Sequence, residues 1–300
     1  MLKGLAALIG LTLPLFYGGY LAWVTRIRRS QRTNLADSHP PAQPFYLKGT
    51  DKNAILCIHG FSSTPCEMKP LGEFLNEKGY TVRGMLLPGH ATHPRDLEDM
   101  DYHHWTQAVC NEYHTLSNKY SSVYVVGFSL GGLLALDLAL KKKIGGMVLL
   151  SPFLRMSNYF FPGVNPEWII ENSTGFVPYV RKSINFVNIN DPVTRKDHVC
   201  YTEIPTRPAT RMFSLAKEII PRLSEIRIPT LIMHAKGDRV VAPDGSLEIF
   251  EKISSPIKEI HWLEKSNHVI PLDYERHFIS DKVVSFFEKL KDLHQDPLTV

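Results

Sequence analysis

Three side chains far apart in the chain could together attack an acyl carbon: Ser129, Asp238 and His268. A serine hydroxyl is a weak nucleophile near neutral pH. It needs a base to take its proton, and the base needs a carboxylate to hold it in one tautomer. Ser129 lies in Val-Val-Gly-Phe-Ser-Leu-Gly-Gly, residues 125–132. This G-x-S-x-G pattern follows an apolar run and opens a helical one, Leu-Leu-Ala-Leu-Asp-Leu-Ala, which places the serine on a sharp strand-to-helix turn. Alone the pattern arises by chance; between a strand and a helix it is specific. Gly127 and Gly131 leave room for the turn, and a helix N-terminus beneath the hydroxyl favours developing negative charge.

Asp238 ends the run Leu-Ile-Met-His-Ala-Lys-Gly-Asp just beyond an apolar strand, roughly 110 residues after the serine. His268 follows 30 residues later in Glu-Lys-Ser-Asn-His-Val-Ile, beyond the next strand. The other histidines weighed as bases, His59, His90, His93, His103, His104, His234 and His261, do not follow an acid loop in this way. Asp244 and Asp191 are the rival acids, and each reads better as a turn or helix-cap residue. Negative charge on a tetrahedral intermediate calls for preorganised donors, and two backbone amides suffice. Leu130, directly after the serine, and Phe61, in the loop His-Gly-Phe-Ser-Ser-Thr-Pro after an early strand, are the candidates. The histidines lack a metal-binding spacing, and there is no phosphate cradle or dinucleotide loop, so no metal and no cofactor are expected.

The elements that must position these residues alternate between β-rich and helical runs, the signature of an α/β fold with a mainly parallel central sheet flanked by helices. Strands are expected at 54–59, 81–86, 122–127, 146–150, 230–234 and 258–263, with helices at 68–78, 103–119 and 130–142. Residues 154–215 break the rhythm. Rich in aromatics and proline and offering no good strand, they read as a cap inserted over the site. The expected organisation is a core of residues 50–153 and 216–300, the cap at 154–215, a linker at 34–49 and an anchor with its basic flank at 1–33.

The anchor is read from 22 uncharged residues, Gly4 to Thr25. As a helix they would span about 33 Å, close to the hydrocarbon thickness of a bilayer. The run passes into Arg-Ile-Arg-Arg without a cleavage site, so an uncleaved N-terminal transmembrane helix is expected. The arginine cluster on its C-terminal side places the catalytic body in the cytoplasm.

The net charge of +4 rests on five basic residues before position 34, Lys3, Arg26, Arg28, Arg29 and Arg32. The remainder is within one charge of neutral and has no basic stripe, which argues against nucleic-acid partners. The four cysteines have neither C-x-x-C spacing nor the density of a disulfide scaffold.

From roughly residue 50 to 290 the sequence resembles the carboxylesterase and monoacylglycerol lipase branch of the α/β-hydrolase superfamily, especially compact bacterial esterases with a His-Gly-Phe oxyanion loop. The likeness runs through His59-Gly60-Phe61, the Leu-Leu-Pro-Gly-His run at 86–90, Gly127 to Gly131, Gly237-Asp238 and Ser266-Asn267-His268. It implies acyl transfer to water through an acyl-serine intermediate, on short or medium chain esters or monoacylglycerols. A thioesterase, a lysophospholipase or an acyltransferase would use the same triad. A reading from another class is a membrane-tethered scaffold whose hydrolase fold has lost activity. The anchor departs from the compact esterases and points to a small-molecule or lipid ester drawn from near a membrane; the oligomeric state is not specified by the sequence.

Overall fold

Strand β2 (Asn53–Ile58) shows how the chain builds two cores at once. Its side chains alternate between sheet faces, so Ala54, Leu56 and Ile58 join one apolar cluster while Ile55 and Cys57 join the other. A strand buried on both faces reads as a continuous apolar run, as expected inside a helix-covered parallel sheet. The structure, a computed structural model, describes residues 17–30, 37, 39–159, 162–182 and 188–295.

The remaining strands are β1 (Phe45–Leu47), β3 (Thr81–Met85), β4 (Ser122–Phe128), β5 (Gly146–Leu150), β6 (Tyr179–Arg181), β7 (Glu203–Pro205), β8 (Thr230–Ala235) and β9 (Lys258–Leu263). Seven of them form one sheet in the order β1-β3-β2-β4-β5-β8-β9, parallel throughout except where β1 runs against β3. Helices Tyr102–Ser117, Leu130–Lys141 and Thr206–Ile219 contribute to the core on one face. Helices Lys69–Glu77 and Arg276–Gln295 contribute on the other. The six strands expected from the sequence are all present, with ends shifted by at most one residue.

Three expectations need correction. First, the stretch read as a linker is partly body: Phe45 is buried, and its ring lies 2.1 Å from where a Cβ on Gly84 would stand, so β1 closes the sheet edge over a glycine. Second, the segment expected to lack strands contains β6 and β7, paired only with each other as a small antiparallel sheet. Its last helix, Thr206–Ile219, runs past residue 215, burying Met212, Phe213, Leu215, Ala216 and Ile219 in the main core.

The third correction concerns the transmembrane helix. Residues 17–29 are helical, but they dock on the protein instead of standing free. Val24 and Ile27 pack with Tyr179, the Tyr20 hydroxyl donates to Tyr179 O (2.9 Å) and accepts its N–H (3.1 Å), and Arg28 pairs with Glu98. Tyr20 and Trp23 both pack against this cluster. Among the described residues no helix is long and apolar enough to cross a membrane; residues 4–16 of the expected span lie outside them.

Candidate active site

Strand β4 ends by turning into helix Leu130–Lys141 at Ser129, whose backbone sits at φ 53°, ψ −114°. A non-glycine residue in such a region costs on the order of 1–3 kcal/mol and persists only where its surroundings enforce it. Here the Ser129 N–H donates to Leu150 O (3.0 Å), while its carbonyl accepts from Gly132 (2.9 Å), Leu133 (3.2 Å) and Phe153 (3.0 Å). The glycines allow the approach: a Cβ on Gly127 would stand 2.2 Å from Gly131 O, and one on Gly131 would stand 2.1 Å from Ile58 O.

The fold brings together the three residues singled out from the sequence. Ser129 Oγ lies 3.1 Å from His268 Nε2, and His268 Nδ1 lies 2.7 Å from Asp238 Oδ2. All three are buried. Asp238 leaves β8 in a turn where Oδ1 accepts the N–H groups of Val240 (2.8 Å) and Val241 (2.9 Å). Burial alone would raise its pKa, but the two histidines and their hydrogen bonds outweigh it and hold the carboxyl far below the usual range. With two imidazoles and two backbone amides turned toward it, Asp238 is held as a carboxylate at neutral pH.

The loop carrying His268 is organised by two further carboxylates. Glu275 accepts from the amides of Glu264, Lys265 and Ser266. Asp273 accepts from Asn267 and, across to the insertion, from Asn190 and Asp191. The rival acids are elsewhere engaged: Asp191 pairs with Arg276 and Asp244 with Arg155, both apart from Ser129.

The loop after β2 abuts the turn from the other side, since a Cβ on Gly60 would stand 2.9 Å from the Phe128 ring. Neither the Phe61 nor the Leu130 amide has a protein acceptor among the described residues, which leaves both free to receive an oxyanion. His59 is structural: its Nδ1 donates to Gly60 O (2.8 Å) and its Nε2 accepts the Leu87 N–H (3.1 Å). Burial lowers its pKa and keeps the ring neutral.

His234, weighed in the sequence only as a rival base, is a partner of the acid. Its Nε2 donates to Asp238 Oδ2 (3.1 Å) and its Nδ1 faces Ser246 Oγ (2.7 Å). The sequence signal was a lone histidine inside the apolar strand Leu-Ile-Met-His-Ala, four residues before the acid. Replacing His234 with alanine leaves a buried carboxylate short of one donor, a loss of about 1–3 kcal/mol. The expected outcome is a lower melting temperature and a lower kcat with little change in KM, read by thermal denaturation and steady-state kinetics.

A mainly parallel sheet with its serine on a strained turn and the acid and base following in that order is the arrangement of the α/β-hydrolases. Within them the chain belongs to the Hydrolase_4 family, described as serine aminopeptidase S33, whose pattern matches residues 49–275. It is 33% identical over 251 residues to the thermostable monoacylglycerol lipase of Bacillus sp. (strain H-257), covering 83% of this chain and 95% of that one. To the carboxylesterase of Bacillus subtilis (strain 168) it is 28% identical over 251 residues, covering 83% and 97%. Among solved structures it resembles one from work on LipS and LipT, two metagenome-derived lipolytic enzymes, with a TM-score of 0.72, 25% identity and coverage of 84% and 99%. The monoacylglycerol lipase of Paleococcus ferrophilus shares the fold at a TM-score of 0.69 and 20% identity, covering 81% and 98%.

Proposed function

We propose that this chain hydrolyses carboxylic esters, short or medium chain acyl esters or monoacylglycerols, with Ser129 as nucleophile, His268 as base and Asp238 as its orienting acid. The observation that carries the reading is the unbroken line from Ser129 Oγ through His268 to Asp238. Attack by Ser129 on the acyl carbon passes its proton to His268 Nε2, while Asp238 holds the Nδ1–H and offsets the charge on the ring. The oxyanion is met by the Phe61 and Leu130 amides. Collapse releases the alcohol, which takes the proton from His268. Water then repeats the sequence on the acyl-serine and frees the carboxylate.

The test is turnover of p-nitrophenyl esters of increasing acyl length, beside glycerol release from monoacylglycerols, acyl thioesters, lysophospholipids and aminoacyl amides. Ester and monoacylglycerol cleavage with an optimum at short or medium chains is expected. Turnover confined to thioesters or lysophospholipids would move the chain to that chemistry, and turnover confined to amides to a peptidase.

A second part of the reading concerns the N-terminus. Residues 4–16 carry no charge and lead directly into the helix docked on the insertion. As a membrane attachment they would hold the body beside lipid, with the Arg-Ile-Arg-Arg cluster at 26–29 setting it on the cytoplasmic side. The full chain is expected to co-sediment with membranes and residues 17–300 to remain in the supernatant; equal partitioning of both would contradict the attachment.

A further inference from the structure

Beneath the oxyanion loop lies a buried carboxylate that the triad does not use. Glu67, in the short 3-10 turn Pro65–Glu67, employs both of its oxygens. Oε2 accepts the Gly60 N–H at 3.1 Å, and Oε1 lies 2.8 Å from His198 Nε2. Gly60 directly precedes Phe61, whose amide is the oxyanion donor of this loop. His198 comes from the insertion between β5 and β8, and both side chains are almost fully enclosed, at 4% and 2% exposure.

The same stretch of the insertion is laced to the loop at three more points. The Tyr201 N–H donates to Ser62 O (2.8 Å), the Thr64 hydroxyl to Val199 O (3.1 Å), and Ser63 Oγ lies 3.1 Å from His198 Nε2. The Tyr201 hydroxyl continues to Gly89 O and receives the Thr92 N–H, both at 2.9 Å. The loop needs such holding, because Ser62 sits at φ 58°, a left-handed conformation that a serine rarely adopts.

Burial works against ionising either group. For Glu67 the hydrogen bonds and charge of its neighbours, His198 foremost, overcome that and leave the carboxyl below its usual range. For His198 the bonds to Cys200 and Glu67 overcome it and raise the ring to about 9. A buried ion pair is weak grounds for stability, since apolar side chains of similar volume often serve as well. Apolar side chains could not, however, accept the Gly60 N–H and fix its direction.

We propose that Glu67 and His198 are positioning residues for the oxyanion hole: the insertion's His198 fixes the Glu67 carboxylate, and Glu67 fixes the Gly60 amide, so that the next amide, Phe61, points where the oxyanion forms. This rests on the reading of Ser129 as nucleophile and Phe61 as donor. Its consequence is that displacement of residues 198–201 reaches the reaction through kcat, because the donor matters when the carbonyl oxygen becomes charged.

The experiment compares Glu67→Leu, Glu67→Gln and His198→Leu with wild type. It reads kcat and KM on p-nitrophenyl butyrate, melting temperature, and inhibition by a trifluoromethyl ketone of matching length, which forms a tetrahedral adduct on the nucleophile. Loss of one oxyanion donor costs about 100- to 1,000-fold in kcat, and a misdirected donor costs less. Glu67→Leu and His198→Leu are expected to lower kcat about 10- to 100-fold and to weaken the ketone by a similar factor, with KM within about threefold. Glu67→Gln, which keeps an oxygen for Gly60, is expected to recover most of both. Should Glu67→Leu not fold, His198→Leu carries the same expectation. Unchanged kcat and ketone affinity in the folded variants, or a Glu67→Gln as impaired as Glu67→Leu, overturns the proposal. Wild type that fails to react with a fluorophosphonate would instead overturn the nucleophile assignment, and this proposal with it.

Discussion

Asp238→Asn is expected to lower kcat by about 10,000-fold, equivalent to roughly 5.5 kcal/mol of transition-state stabilisation. The size follows from the number of tasks that Asp238 performs. Its Oδ2 accepts from both His268 and His234, and its Oδ1 from two backbone amides. An asparagine has one oxygen and one donor group. Whichever way it turns, it sets an NH2 against groups that are themselves donors, either the Val240 and Val241 amides or the two imidazoles. The cheapest relief is for His268 to carry its proton on Nε2, where it faces Ser129 and can no longer accept a proton from it. The rate of fluorophosphonate labelling should fall by the same factor as kcat, because both depend on activation of the serine. A decrease below tenfold in a folded variant would mean that the base does not depend on this carboxylate.

Gly131→Ala should destabilise the protein by about 3 kcal/mol or more, a drop on the order of 10 °C in melting temperature. The sign is the informative part. In an unhindered helix interior, alanine is better than glycine by about 1 kcal/mol. Here the added Cβ would stand 2.1 Å from Ile58 O and 2.9 Å from His59 O. These are backbone atoms at the end of β2, with no rotamer to change. Relief requires the elbow and the oxyanion loop to separate, so residual folded protein should also lose kcat. Thermal denaturation measures the first effect and kinetics on the folded fraction the second; a stabilised variant would show that the approach is looser than the structure has it.

The triad was legible because Ser129 and Asp238 follow strongly apolar strands and His268 follows the next strand in the expected order. Apolar runs fix β4 and β8, and Gly127 and Gly131 mark the one place where the chain must turn sharply. Short elements were not legible. Tyr-Val-Arg and Glu-Ile-Pro, three residues each, have no periodicity to detect and become β6 and β7 only by pairing with one another. Phe45–Leu47 is equally short, and its reason for being a strand is Gly84 on the neighbour, not anything local. The end of the N-terminal run, from residue 17 on, was misjudged because hydropathy does not distinguish lipid from protein as the apolar partner. Tyr20 and Trp23 suit an interface belt, but they equally suit packing against the cluster around Tyr179. Glu67 was invisible for another reason: seven residues past Gly60, it reaches the loop through a turn that no pattern announces, and its counterion lies 131 residues away.

The most direct test is to treat wild type and Ser129→Ala with a fluorophosphonate and locate the adduct by peptide mass spectrometry, measuring p-nitrophenyl butyrate turnover in parallel. The structure predicts a single adduct on Ser129 in wild type, none in the variant, and turnover lower by several orders of magnitude in the variant. An adduct on another residue, or Ser129→Ala turnover close to wild type in folded protein, would contradict the assignment of Ser129 as the nucleophile.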